Sequence, residues 1–256
     1  MVYQDEISFV RAQNCCVCFV DIVDSRRVTS SINNPEKVGR YYEIFLNTTA
    51  AIARNFGAKI IKNVGDCLIL CYPRTSDTSD KSAFNDVLEC YITMIEARNI
   101  INQKLYEEGL PYVSYRISTD YGRVEVARSA TSQSDDLFGP TMNMCSKINS
   151  KAPINGVAIG DGLYKVIETF SSLSSLEKNC YHFEEIVTLE HEFNKYALYS
   201  LQRRTIKSQK TNLCYFFVDC WSIYSLRHEP QTLDCTSFPA LTIFITAIPT
   251  PQNSQL

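Results

Sequence analysis

The chain has 256 residues, 45% hydrophobic and 21% charged, with a formal net charge of −3 and an isoelectric point near 5.7. That length suffices to bury a core as one large domain or two small ones, and the mildly acidic balance offers no basic field for nucleic acid. Three histidines, eleven cysteines with no CxxC pair joined by a second pair or by histidines, and no apolar run near the ~18 residues of a membrane span argue against a zinc cage, a Ser-His-Asp triad and a transmembrane anchor.

Met1 to Ala12 is polar and charged and lacks the apolar stretch of a signal peptide, so the expectation is a cytoplasmic protein with reduced, buried thiols. Residues 15 to 22, Cys-Cys-Val-Cys-Phe-Val-Asp-Ile, form a near-continuous apolar run of the central-strand type, with Asp21 close to its end. Asn34-Pro35-Glu36 reads as a helix start, Val38, Tyr41, Phe45, Thr48 and Ile52 recur at helical spacing, and Gly57 stands where a C-cap belongs. In the stretch KIIKNVGDCLILCYP, residues 59 to 73, Asn63-Val64-Gly65-Asp66 reads as a tight hairpin between two strands. Asp66 there is either turn chemistry or a carboxylate held at a hairpin tip for a purpose.

A polar loop over 74–82 precedes a second long helix marked by Ala83, Val87, Tyr91, Met94, Ala97, Ile101 and Leu105, which Gly109-Leu110-Pro111 ends. Residues 113–119 and 123–127 read as paired strands around Asp120-Tyr121-Gly122. A polar loop from Ser129 to Asp135 leads to Gly139-Pro140 and a short helix over 140–149. A strand at 157–159, a helix from Asp161 to Phe170 and strands near 181–187 and 195–201 close the unit. Long helices between hairpins predict an α+β domain, a mixed or antiparallel sheet with helices on one face. From about Gln202 the character changes: Arg203-Arg204, Lys207 and Lys210 are followed by the apolar pieces Leu213 to Val218 and Leu241 to Ile248. The expected organisation is a domain at 1–201 and a tail at 202–256, the tail being an appendage or a membrane or partner contact.

Three stretches line up: CFVDIVDS with Asp21, KNVGD with Lys62 and Asp66, and DDLFGPTMNMCSK with Asp136, Asn143 and Lys147. In order and spacing they resemble the class III nucleotidyl cyclase catalytic domain over roughly residues 13 to 201. That family has Phe-x-Asp-Ile, then Lys-x-x-Gly-Asp on a hairpin, then Asp-x-[Trp/Phe]-Gly-x-x-x-Asn-x-x-Ser-Arg. The resemblance implies a ferredoxin-like fold. It implies that Asp21 and Asp66, with the carbonyl of Ile22, hold two divalent ions, Mg²⁺ or Mn²⁺, in each active site. The amides of Ile22, Val23, Asp24 and Ser25 would open a helical turn onto the β- and γ-phosphates, with Asp24 itself a helix cap rather than a third ligand. Taken singly, Asp21 reads as a strand-end cap, and it is the motifs together that point to a metal ligand.

Lys62 and Asp136 match the family pair that reads adenine, a donor to ring nitrogen N1 and an acceptor from the exocyclic amine; guanylate cyclases resemble this stretch with Glu and Cys at those places. The plain alternatives are an exposed strand lysine and a loop acid. Asn143 and Lys147 lie four apart and share a helix face. The family's asparagine orients the ribose and its arginine stabilises charge on the α-phosphate; Lys147 supplies the charge without the planar fork. A family lysine that touches the terminal phosphates corresponds loosely to Lys195. The resemblance also implies a head-to-tail homodimer with shared active sites, because the two residue sets act across protomers. The resulting expectation is an adenylate cyclase that converts ATP to 3′,5′-cyclic AMP and pyrophosphate in signal transduction. The alternatives are a cyclase of other base choice (GTP or a pyrimidine), a nucleotide-binding regulatory module without catalysis, and a plain structural domain.

Overall fold

The apolar run at Cys15–Ile22 is the buried half of a longer strand, β1 (Ile7–Ile22), in the computed structural model. The structure describes residues 7–129, 135–170, 180–191 and 194–204. The chain divides into two units, Met1–Thr205 and Ile206–Leu256, and every described residue belongs to the first. The expectations for the tail beyond Arg204 lie outside the described residues.

Strand β1 runs antiparallel to β3 (Cys67–Tyr72) on one side and to β4 (Tyr115–Ser129) on the other. The remaining strands are β2 (Lys59–Val64), β5 (Asp135–Phe138), β6 (Val157–Gly160), β7 (Tyr181–His191) and β8 (Asn194–Arg203). The order across the sheet is β2-β3-β1-β4-β6-β8-β7, with β5 added to the far half of β4. Only β4 and β6 pair in parallel among the described strands, which makes the sheet mixed.

Side chains of β1 alternate between two cores, as the period of two requires. Cys16, Cys18, Val20 and Ile22 face a helix layer in which Tyr41 and Phe45 of α2 (Pro35–Asn55), Phe84 and Tyr91 of α3 (Lys81–Glu96), Ile101 and Leu105 of α4 (Arg98–Glu107) and Leu163 of α6 (Asp161–Phe170) are buried. Cys15 and Val17 face the opposite side, with Ile69, Cys71, Val124, Val126 and Cys145. This second face is covered by α5 (Pro140–Asn149), so the α+β class stands with one helix on the other side of the sheet.

Local chemistry accounts for the boundaries. Asn34 Oδ1 accepts from the Glu36 amide at 2.9 Å and Pro35 opens α2. At its end Gly57 takes φ +75, with Ala58 N–H donating to Ala53 O and Gly57 N–H to Arg54 O, the paired bonds of a Schellman motif. The expected second long helix is broken by a single residue, Ala97, across which the backbone bonding continues from Thr93 to Ile101.

One strand expectation is corrected. The segments around Asp120-Tyr121-Gly122 are not a hairpin but one strand, in which those residues pair with Val17, Cys16 and Cys15. Turn-forming residues run straight on here because the Asp120 side chain finds its partners in tertiary structure, described below. Of the loop expected from Ser129 to Asp135, residues 130–134 lie outside the described residues, while Ser129 ends β4 and Asp135 opens β5, where Asp135 to Phe138 pair with Glu125 to Arg128.

Candidate active site

Asp21 is the penultimate residue of β1, and Asp66 follows Gly65 in the two-residue turn between Val64 and Cys67. Gly65 has φ +63 at the first central position, the geometry that primed hairpin turns demand and that glycine meets without strain. In register, Asp21 sits between Cys67 of β3 and Arg116 of β4. Burial raises the Asp21 pKa above the usual carboxylate range and the Asp66 charge adds to the rise; a hydrogen bond from Asn149 and the charge of Arg116 oppose it. Two carboxylates within one field, at the ends of stiff strands, are therefore short of positive charge.

The second pair is Lys62 and Asp136. Lys59 and Lys62 are three apart and would face opposite sides of a regular strand. A bulge between Ile60 and Lys62 places Lys62 opposite Ile69 and Lys59 opposite Cys71, so both lysines share the face that carries α5. Lys59 Nζ then donates to Asp135 Oδ2 at 2.9 Å and Lys62 Nζ to Asp136 Oδ2 at 2.6 Å. Lys62 also stands 6.0 Å from the centroid of the Phe138 ring. The Lys62 and Asp136 side chains are 40% and 34% exposed, and a pair that open to water is worth ~1 kcal/mol or less. It contributes little stability and opens at little cost.

Asn143 and Lys147 lie on the exposed side of α5. Among the described residues no hydrogen bond or ion pair joins either to Asp21 or Asp66. The amides expected to receive phosphate are only partly available. Val23 N–H donates to Ser114 O at 2.8 Å, so the fold itself uses that group. Asp24 and Ser25 open α1 (Ser25–Ser30); Asp24 takes the left-handed conformation at φ 53 and makes no side-chain cap. Asp24 thus stands at the N-cap as expected, its main-chain oxygen accepting from Val28 N–H at 3.0 Å, while its carboxylate pairs with Arg27 at 3.2 Å. Lys195 is exposed as the second residue of β8.

The family model of the adenylate and guanylate cyclase catalytic domain matches residues 7–200. The chain belongs to that family. A Streptomyces griseus adenylate cyclase is 27% identical over 148 residues, 58% of this chain, and the match spans 31% of that protein's length. The fold is that of the adenylyl cyclase CyaB from P. aeruginosa, with a TM-score of 0.63 at 18% identity over 78% of this chain and 97% of that one. The guanylate cyclase domain of RhGC from Catenaria anguillulae, solved with GTP, gives a TM-score of 0.61 at 17% identity, covering 77% of this chain and all of that one, 100%.

The cyclase domain's donor set suits hard divalent cations. Among the described residues no three His, Cys, Asp or Glu side chains gather into a protein cage. An incomplete set of two carboxylates is what Mg²⁺ or Mn²⁺ takes when substrate phosphates complete the shell. Asp21, its pKa raised by burial and by Asp66, is the group that a cation would relieve.

Three residues of the cyclase domain were not legible as functional in the sequence. Arg116 and Asn149 adjoin Asp21 directly. Asp120, 3% exposed, supports the site's frame: its Oδ1 accepts from Tyr121 N–H at 2.8 Å and Leu163 N–H at 3.1 Å, and its Oδ2 accepts from the Tyr196 hydroxyl. Burial dominates these bonds and raises its pKa to about 6. The folded state thus holds this proton more tightly than the unfolded chain. The stability it confers is fully present below the unfolded pKa of 3.8 and is lost as pH rises through about 6, a swing of ~3 kcal/mol. Denaturation of wild type and Asp120→Asn from pH 4 to 7 is expected to show this swing in the difference between them, because the amide does not titrate. A difference independent of pH would contradict it.

Proposed function

We propose that this cyclase domain converts ATP to 3′,5′-cyclic AMP and pyrophosphate, at two sites shared across a head-to-tail homodimer. The observation that carries the base assignment is the Lys62–Asp136 contact at 2.6 Å. A cationic donor and an anionic acceptor stand side by side, matching the N1 and exocyclic amine of adenine; guanine offers a carbonyl and an N1–H there. The Streptomyces relative named an adenylate cyclase agrees with this reading, while RhGC marks the alternative that the same fold accommodates.

In this reading Asp21 and Asp66 would hold two divalent ions, with the carbonyl of Ile22 as a further ligand. Such ions, when bound, lower the pKa of the ribose 3′-hydroxyl and neutralise the departing pyrophosphate. The amides of Asp24 and Ser25 face the β- and γ-phosphates. From the partner come Lys62 and Asp136 to the base, Asn143 to the ribose and Lys147 to the α-phosphate, where the 3′-oxygen bonds as pyrophosphate leaves. The exposure of Asn143 and Lys147, neither of them bonded to Asp21 or Asp66 of its own chain among the described residues, is what supports sharing.

Incubating the purified chain with each of the four nucleoside triphosphates and Mn²⁺ tests the proposal. Cyclic AMP and pyrophosphate in equal amounts, with ATP turned over well above the others, is the expected result. Preferred turnover of GTP, CTP or UTP would overturn the base assignment, and no cyclic product from any of them would overturn the activity. Lys147 keeps the charge of the family's arginine but not its fork. Loss of a well-placed transition-state donor costs ~10²–10³ in rate, so Lys147→Arg is expected to recover part of that, raising kcat by ~10-fold. An unchanged or lower kcat would remove Lys147 from the α-phosphate.

A further inference from the structure

Helix α5 ends at Asn149, whose side chain returns to the sheet: Nδ2 donates to Asp21 Oδ2 at 2.9 Å, across 128 residues of sequence. The opposite amide orientation would set a carbonyl oxygen against the carboxylate, so the donor must face Asp21. Asn149 is itself fixed from behind, because Arg116 Nη1 donates to its main-chain oxygen at 3.3 Å. Two polar atoms of this group are nevertheless buried without partners among the described residues, Asn149 Oδ1 and Arg116 Nε.

A residue placed here for stability alone would not leave an acceptor and a donor unpaired, since both are costly to bury. The chemistry of the contact points elsewhere. A lysine at this position would neutralise Asp21 and compete with any cation it held. An amide fixes one carboxylate oxygen and leaves the charge intact. The bond engages Asp21 Oδ2 and leaves the other oxygen, Oδ1, outside it, and the Asp66 charge acts on the same carboxylate.

We propose that Asn149 is a positioning residue for the cation site: it locks the rotamer of Asp21 so that the carboxylate is presented to a divalent ion together with Asp66. This rests on the proposed role of Asp21 as a ligand. Outer partners of metal ligands act in this way generally, and their loss costs ~10–100-fold in affinity.

The test is Mn²⁺ alone, titrated into the full chain and followed by water-proton relaxation, for wild type, Asn149→Leu, Asn149→Ala and Asp21→Asn. Leucine keeps the heavy-atom count and branching of asparagine, in a bulkier form, and removes both the donor and the unpaired oxygen. The expected result is Mn²⁺ affinity ~10–100-fold lower with an unfolding temperature equal to or above that of wild type, and a Mn²⁺ concentration for half-maximal product formation raised by the same factor. A merely structural asparagine would lower the unfolding temperature and leave Mn²⁺ affinity alone. The alanine variant serves if leucine does not fold. Affinity within twofold of wild type in a folded Asn149 variant, while Asp21→Asn loses Mn²⁺, would overturn the positioning role only. If Asp21→Asn also binds Mn²⁺ normally, the reading of Asp21 as a ligand falls with it.

Discussion

Asp21→Asn is expected to lower cyclic nucleotide formation by ~10³-fold or more, because cation chemistry supplies several kcal/mol of the rate and each ~1.4 kcal/mol is tenfold. The same variant is expected to unfold no more easily than wild type. Burial and the neighbouring Asp66 raise the pKa of Asp21, so the folded state holds its charge at a cost. That sign means the carboxylate's contribution to stability is lost as pH rises past the ordinary carboxylate range, and at neutral pH the neutral amide relieves the fold. Activity and thermal unfolding measured on one preparation separate the two effects. A fall in both, or activity within tenfold of wild type, would return Asp21 to the role of a strand end. The Asn149 hydrogen bond remains available to an amide oxygen, so local packing is kept.

Exchanging the base-reading pair is expected to invert nucleotide preference. Lys62→Glu with Asp136→Cys reproduces the pair that guanylate cyclases resemble, offering an acceptor to the guanine N1–H. A fully buried base edge discriminates by ~10⁴–10⁵. Here the side chains are 40% and 34% exposed, and water can serve groups left unpaired, so a swing of ~10²–10³ in the ratio of kcat/KM for ATP and GTP is expected. Lys62→Glu alone sets two acids face to face and is expected to depress turnover of both nucleotides. A double variant that still prefers ATP would show that base choice lies elsewhere. Asp135, held by Lys59, Arg11 and Arg128, stays untouched in this experiment and keeps β5 against β2.

The residues of the candidate site were readable because each belongs to a short motif whose local element is also strongly coded. Asp21 closes an apolar run, Asp66 follows a glycine at a positive φ, and Asn143 and Lys147 share a helix opened by Pro140. What escaped depends on partners distant in sequence. The first half of β1 is exposed along Ile7 to Ala12, so its pairing with β4 leaves no hydrophobic alternation to detect. Asp120-Tyr121-Gly122 carries turn composition, yet its carboxylate bonds Leu163 and Tyr196, 43 and 76 residues away. Asn149 looks like the polar end of a helix until the sheet brings Asp21 beneath it. The bulge that turns Lys62 to the same face as Lys59 has no signature of its own in Lys59-Ile60-Ile61-Lys62.

In the proposed dimer Asp21 and Asp66 of one copy work with Asn143, Lys147, Lys62 and Asp136 of another. Its most direct test is to mix two inactive proteins, Asp21→Ala and Asn143→Ala, after verified subunit exchange, and to assay cyclic nucleotide formation with Mn²⁺. One protomer then carries the intact cation half and the other the intact nucleotide half, so each mixed dimer regains one working site and activity returns to about a quarter of wild type on statistical mixing. A mixture as inactive as its components would contradict the shared site.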